Sequence, residues 1–461
     1  MLQFLRNTRQ NIVEHRVIDS SLRSIFGVTI PIILFCMSTN LMFVIDRLML
    51  AGYSINSMNA VAMSSNFVSL FVFIFVGIAN TAEIFVGQYN GSRQYDRLAP
   101  PVWQMLYLSL ASSIFFVPVA YFSDHLNTLP SYYLEDGLKY QRILMYGGML
   151  PAIKSSLASF FIGQGKTKIV TVSMAFGALN NVVLDYLLIY GVGDVIPSMG
   201  SRGAAMATVA SELLQIIILA PAFFSKKNRS IYGAFANRAF DKKLFADCFR
   251  VGGPMALCNF VTLLAWYMVL AIVNHVSKDM ATVYNVGISV YIFFIFVGEG
   301  AQKAIVAICS NMIGRDDLQS IEKTRRVFVA ISWFFGFMMA IPLVFFPEWI
   351  LRLFDTLPDN CSLLYRDMKI VFYLITAVVT LETLVLSTWG ILVAGGDTKY
   401  SAMIYQICLW VFTVLPVGVL YRLNVLNSVP LVYAMMVIWL LVTQFFMHRR
   451  YKSLKWYNKL P

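Results

Sequence analysis

The sequence predicts an all-α integral membrane protein with twelve transmembrane helices. They form two parallel six-helix lobes related by a pseudo-two-fold axis along the membrane normal. Three observations lead there. First, 58% of the 461 residues are hydrophobic and only 13% charged, and the mean hydropathy is +0.68, far outside the soluble range. Second, apolar runs of about twenty residues recur from end to end, each long enough to cross a hydrocarbon core of roughly 30 Å as a helix. Third, the chain repeats itself. Pro31 and Pro254, Gly77 and Gly300, Gln88 and Asn311, and Gly91 and Gly314 share one offset, and Phe-Ile-Phe-Val-Gly occurs at 73–77 and again, two residues off that register, at 294–298. Six spans per repeat is an even number, so both halves enter the membrane in the same orientation, with a cavity between them.

Charges, Gly and Pro bound the runs. The first, near 24–50, carries Pro31, which removes a backbone hydrogen bond and gives the helix a hinge, and then Asp46 and Arg47 side by side. The second, 60–88, holds Glu83 close to its inner end, and the third, 102–122, is uncharged. The fourth, 140–163, contains Lys154 just after Pro151, with no local partner, so an acid on a neighbouring helix is required. The fifth, 168–191, sets Asn181 and Asp185 on one face at i and i+4, and the sixth, 202–224, carries Thr208 and Glu212. A basic segment, 225–246, follows. The remaining spans fall near 247–276, 281–313, 325–347, 363–395, 400–420 and 428–448. Glu299 and Lys303 in the eighth stand at i and i+4, where they can neutralise each other or serve transport. Glu382 in the tenth precedes Gly390, Gly395 and Gly396 and is the C-terminal half's own candidate. The expected organisation is a lobe over 1–224, a cytoplasmic linker over 225–246, a second lobe over 247–448 and a cytoplasmic tail over 449–461.

Most of the 36 Lys+Arg fall in segments on one side, including Arg6, Arg9, Arg16 and Arg23 before the first span, the 226–250 cluster, and Arg449 to Lys459 at the end. The positive-inside rule then places both termini in the cytoplasm, at the cell's inner (plasma) membrane. The net charge of +12 is dispersed between apolar runs rather than along one amphipathic face. Membrane lipids, not nucleic acid, are its expected partner. The first residues are polar and basic and no cleavage pattern follows, so the first helix is expected to stay. Cys36, Cys248, Cys258, Cys309, Cys361 and Cys408 show no CxxC spacing and read as core, and His15, His125 and His448 fall near span ends. No metal or cofactor is expected. Gly163-Gln164-Gly165-Lys166-Thr167 lacks the earlier glycine of a phosphate loop.

A charge at mid-bilayer costs roughly 2.5–3.5 kcal/mol, so each intramembrane carboxylate needs a reason to be there. Depth sorts them. Asp46 lies about twenty residues into an outward-running helix, Asn181 and Asp185 lie in the middle to outer part of another, and Thr208 lies near the outer end of an inward-running one. Four oxygen-bearing side chains at one depth suit a small hard cation or a shared proton. Two readings stay open for Thr208, a ligand or a hydroxyl bonded back to its own helix. Two also stay open for Arg47, a counter-ion for one of these acids or a side chain turned outward.

The chain resembles the multidrug and toxic compound extrusion family of secondary transporters over almost its whole length. Pro31 with Ile45-Asp46-Arg47-Leu48-Met49-Leu50-Ala51-Gly52 is similar to that family's first-helix signature, and Gln88-Tyr89-Asn90-Gly91 to the Gln-x-x-Gly ending its second helix. Asn181-Val182-Val183-Leu184-Asp185 resembles its Asn-x-x-x-Asp, and Gly203-Ala204-Ala205-Met206-Ala207-Thr208 its Gly-Ala-Ala-x-Ala-Thr. The resemblance implies that Asp46, Asn181, Asp185 and Thr208 form an N-lobe site for the coupling ion, H+ or Na+. It also implies that Glu382 matches an acidic C-lobe position for substrate or proton. In two places the chain departs from the pattern: Thr262 stands where one branch has a glutamate, and Arg47 replaces a small residue.

The expected function is a cation-coupled antiporter, acting as a monomer, that exports amphipathic organic cations, drugs and toxic compounds, by alternating access. Asp46 and Asp185 bind the ion, Pro31 is the hinge, and Arg47, Lys154, Glu299 and Lys303 are charge partners. The alternative is a flippase for lipid-linked saccharide in the same superfamily. An enzyme is not expected, because no nucleophile–base pair or metal set stands in the sequence.

Overall fold

The computed structural model describes residues 19–126, 134–235, 237–353 and 363–457, and these are helical almost throughout. Arg6, Arg9, Arg16, His15, Cys361 and Lys459 lie outside the described residues. The helix α1 runs over Leu22–Tyr53, and α2 over Ile55–Ala79 with its continuation Ala82–Gly91. Next come α3 (Ala99–Ala111 and Ser113–Tyr121), α4 (Leu134–Tyr146 and Leu150–Gly163), α5 (Thr167–Tyr190) and α6 (Ser201–Phe223). The second half has α7 (Lys242–Val276), α8 (Lys278–Gly314), α9 (Leu318–Ala340), α10 (Leu363–Ala394), α11 (Thr398–Leu409, continued by Leu415–Arg422) and α12 (Val429–Lys452). Among the described residues, ten helices are long and apolar enough to cross a membrane. The other two expected spans are there as shorter apolar helices, Leu22–Ser38 within α1 and Leu150–Gly163 within α4. The twelve-helix, two-lobe fold class stands.

Several helices exceed their predicted spans because a charged first turn facing water need not end a helix. Thus α7 starts at Lys242 rather than 247, with Asp241 accepting from the backbone N–H of Lys243 and Leu244. At the other end of the polarity range, α1 starts where Ser21 accepts from the Ser24 N–H, a side-chain cap for an otherwise unpaired donor.

The described chain divides into two compact units. The first holds the described residues up to Ala256 together with Ala307–Ser320, and the second holds Leu257–Val306 and the described residues from Ile321 onward. In the first, α5 packs along α6 and α1, and α2 along α4; in the second, α10 packs along α12.

The turn between α5 and α6 fixes what faces what. Gly191 and Gly200 take positive φ, 78° and 52°, which other residues adopt only under strain. The Met199 N–H bonds the Leu188 carbonyl across the turn. A Cβ added to Gly203 would lie 2.6 Å from the Leu188 backbone. Small residues at 203–205 and 207 therefore let the first turns of α6 press against the last turns of α5, as in close membrane helix pairs.

A second close approach joins the ends of α2 and α8 within the first unit. Asn90 Nδ2 donates to Asn311 Oδ1 at 2.6 Å, and Asn311 Nδ2 donates to the Gly163 carbonyl at 2.7 Å. A Cβ on Gly91 would sit 2.0 Å from the Asn311 carbonyl oxygen, and one on Gly314 2.1 Å from that of Gln88. Gly91 and Gly314, like Gln88 and Asn311, are equivalent positions of the repeat, so the contact is reciprocal.

Candidate functional site

The site grows from α1, α5 and α6, which the tight α5–α6 turn and the packing of α5 on α1 hold together. Asp46, Asn181 and Asp185 are all buried. The carboxyl groups of Asp46 and Asp185 lie within hydrogen-bonding reach of one another. Neither finds enough donors: Asp46 Oδ1, both Asp185 carboxylate oxygens, and both polar atoms of the Asn181 amide are buried without a hydrogen-bond partner. Buried polar atoms are ordinarily paired, and an unmade bond costs roughly 1–3 kcal/mol. Two carboxylates sharing one buried site need a proton or a cation between them. The donor set of two carboxylates and an amide oxygen fits both.

Thr208 is half-buried on α6, and its hydroxyl donates to the Ala204 carbonyl at 3.0 Å. It is thus bonded back to its own helix, and its remaining lone pairs are the only means by which it could serve a cation. Arg47 is exposed and makes no salt bridge among the described residues. Its exposure is what an outward side chain requires, since adjacent helical positions point about 100° apart, and its charge stays within electrostatic reach of Asp46. Tyr140, from the first part of α4, was not legible as a site residue. It is buried among Leu50, Val61, Ile189, Ala204 and Ala205, with its phenol in electrostatic reach of both Asp46 and Asp185. An uncharged aromatic in an apolar run gives no signal of its own.

Lys154 does not join this group. Its ammonium pairs with Glu212 of α6 at 2.7 Å, with side-chain exposures of 14% and 13%. The required acid was therefore on a neighbouring helix. The second oxygen, Glu212 Oε2, is buried and unpartnered. The Pro31 carbonyl accepts from the Thr171 hydroxyl of α5 at 2.9 Å, so the first-helix proline is tied to the helix that carries Asp185.

The second unit has its own acid. Glu382 on α10 is buried and accepts from the Tyr291 hydroxyl of α8 at 2.7 Å and from that of Tyr405 on α11 at 3.3 Å. The Tyr405 ring lies 4.6 Å from Trp389 and 5.2 Å from Trp439. Thr262 donates to the Cys258 carbonyl and accepts from Gln406 Nε2 at 2.6 Å, so this position is satisfied without an acid. Glu299 is exposed and Lys303 half-buried, one turn apart on α8. Cys36, Cys248, Cys258, Cys309 and Cys408 are buried, as expected of core residues.

The MatE family model matches residues 31–187 and again 254–419; the two matches begin at Pro31 and Pro254, the first pair of the repeat. A probable multidrug resistance protein YoeA of Bacillus subtilis is 24% identical over 330 residues, covering 68% of this chain and 70% of its own. A probable multidrug resistance protein NorM of Thermotoga maritima is 22% identical over 330 residues, covering 71% and 70%. Among solved structures, an outward-facing MATE family transporter of the MOP superfamily superposes with a TM-score of 0.83 at 17% identity, covering 94% of this chain and 96% of that one. A MATE in the straight conformation gives 0.83 at 18% identity over 95% and 97%.

Proposed function

The chain belongs to the MatE family of multidrug efflux transporters, and from that premise we propose that it is a cation-coupled antiporter exporting amphipathic organic cations by alternating access. The observation that carries the proposal is the group of five buried, unpartnered polar atoms on Asp46, Asn181 and Asp185. An inward-moving H+ shared between the facing carboxylates, or an Na+ ligated by the four oxygens among these atoms, neutralises the pair. A potential of 100 mV contributes roughly 2.3 kcal/mol per charge moved, on the order of a fifty-fold substrate gradient.

In this reading Asp46 and Asp185 bind the coupling ion, Asn181 lends its amide oxygen, and Thr208 completes the shell. The hinge at Pro31 converts occupation of Asp46 into bending of α1, against the tether that Thr171 provides. Glu382, held by two phenols, receives the cationic substrate or a proton in the C-terminal lobe. The functional lobes are 1–224 and 247–448, joined by 225–246, with both termini and the 449–461 tail on the cytoplasmic side of the inner (plasma) membrane. That orientation rests on the distribution of Lys and Arg.

Purified protein in liposomes, assayed for efflux of a fluorescent organic cation under a sodium gradient alone and then a pH gradient alone, identifies the ion. D46N and D185N should each abolish gradient-driven efflux while eluting as folded protein. Efflux retained in both variants would sink the assignment.

A further inference from the structure

The segment expected as a linker is not a loose tether. Tyr232 is buried, its ring 5.7 Å from Phe160 and 6.2 Å from Tyr95, and its hydroxyl accepts from Lys166 at 3.1 Å. Trp103 Nε1 donates to the Ala234 carbonyl at 2.9 Å, and Gln104 donates to the Ala239 carbonyl while accepting from the Asp241 N–H. Asn237 Nδ2 donates to the Asp96 carbonyl at 2.8 Å. The described residues from 232 to 241 are therefore fastened along the start of α3 and the turn before it, and the exposed charges between 226 and 241 are four bases, Lys226, Lys227, Arg229 and Arg238, against one acid, Asp241.

Among these, Arg229 and Arg238 are brought together on one ring. Phe235 is 46% exposed, and the guanidinium carbons of Arg238 and Arg229 lie 4.6 and 5.3 Å from its centroid. Both arginines are exposed, and neither makes a salt bridge with a carboxylate among the described residues. An exposed phenylalanine as a shared platform orients two planar forks at low entropic cost. Phe240 and Phe249, also exposed, lie nearby in the sequence as apolar surface. The segment joins two membrane spans, so it sits at headgroup depth.

We propose that Arg229 and Arg238, mounted on Phe235, bind the phosphate of an anionic phospholipid headgroup. Guanidinium groups match phosphate oxygens in bidentate fashion, and a basic surface beside a membrane span attracts anionic lipid. That the leaflet is the inner one rests on the charge-based orientation above; the binding itself does not depend on antiport.

The test uses the full-length protein purified in detergent, titrated with phosphatidylglycerol, with phosphatidylcholine, and with inorganic phosphate, and read by native mass spectrometry. Phosphatidylglycerol should bind in preference to phosphatidylcholine. R229Q/R238Q should weaken it by about thirty-fold, roughly five-fold per arginine, and F235A by several-fold with every charge retained. K242Q/K243Q, which removes the same charge, should change it by less than the arginine pair. Equal losses in the two double variants would reduce the site to diffuse attraction and overturn the proposal. Inorganic phosphate displacing the lipid at similar concentration would overturn the commitment to a lipid. If the double variant is not monodisperse, R229Q and R238Q alone carry the comparison. Because no gradient or transport enters, failure here leaves the antiporter reading standing, and failure of D46N to matter leaves this one.

Discussion

Replacing Lys154 by Met isolates what the buried ion pair contributes. The 2.7 Å contact with Glu212 is mostly shielded from solvent, at 14% and 13% exposure, and Glu212 Oε2 already has no partner. Removing the ammonium leaves a carboxylate with neither of its oxygens compensated. Breaking one half of such a pair costs about 3–5 kcal/mol, whereas replacing both halves by apolar side chains of similar volume is often near neutral. K154M should therefore lose about 3–5 kcal/mol, and K154M/E212M should recover most of it, giving a coupling on the order of 3 kcal/mol in a double-mutant cycle. Reversible unfolding of the purified protein in mixed micelles measures each corner. K154M within about 1 kcal/mol of the parent, or a double variant no more stable than the single one, would refute the reasoning. Gradient-driven efflux in the double variant adds a second readout, because a structural pair can be exchanged for an apolar one while the Asp46–Asp185 pair cannot.

Further outcomes follow from the same contacts. Y291F and Y405F each remove one of the two hydroxyls donating to Glu382, and each should cost about 1–3 kcal/mol with Y291F the larger, since its bond is 2.7 Å against 3.3 Å; unfolding in detergent checks the order. G91A and G314A each force a methyl into a backbone carbonyl and should cost about 1–3 kcal/mol or more. Because one separation of α2 from α8 relieves both, G91A/G314A should cost less than the two together, which a double-mutant cycle measures. Lys166 lies outside the spans, and burial, with Lys227 nearby, brings its ammonium down to about 8, against about 10.4 in an unfolded chain. Its charged form is therefore less stable in the fold than in the unfolded chain. The penalty is full below pH 8 and fades as pH rises, a gain of about 2 kcal/mol between pH 8 and 10. Burial of the Tyr232 phenol pushes it up to about 12, so its stabilisation is lost as pH climbs from about 10 to 12. Unfolding measured against pH should show a rise ending near pH 10, and K166M should flatten the rise.

Much of this molecule is legible because the bilayer makes charge expensive. Asp46, Asp185, Lys154 and Glu382 each stood out as a cost awaiting a partner, and depth alone grouped Asp46 with Asn181 and Asp185. What the sequence could not supply was direction. Arg47 is adjacent to Asp46 yet exposed, and Thr208, at the right depth, spends its hydroxyl proton on Ala204. The partners that carry no net charge were hidden for a different reason. Tyr140, Tyr291 and Tyr405 sit in apolar runs where aromatic residues are common, and only packing shows that their hydroxyl-bearing ends face carboxyl groups. Glu212 was visible as an acid but not as the counterpart of Lys154, since the pairing depends on how α4 turns against α6. The 225–246 segment read as basic and polar, and its fastening to α3 runs through backbone carbonyls, which no side-chain pattern announces.

The crossing of α2 with α8 has a consequence for how such a chain could arise. Each glycine rests on the residue equivalent to the one its counterpart rests on, which is the geometry of an isologous contact between two identical subunits. A single six-helix half carrying Gln-x-x-Gly at the end of its second helix would already possess a surface complementary to itself. Two copies could then pair through it before any fusion, and the fused gene would inherit the joint ready-made. The divergence of Gln88 and Asn311 fits that history, since a joint encoded once must remain symmetric, whereas one encoded twice is free to let each side specialise.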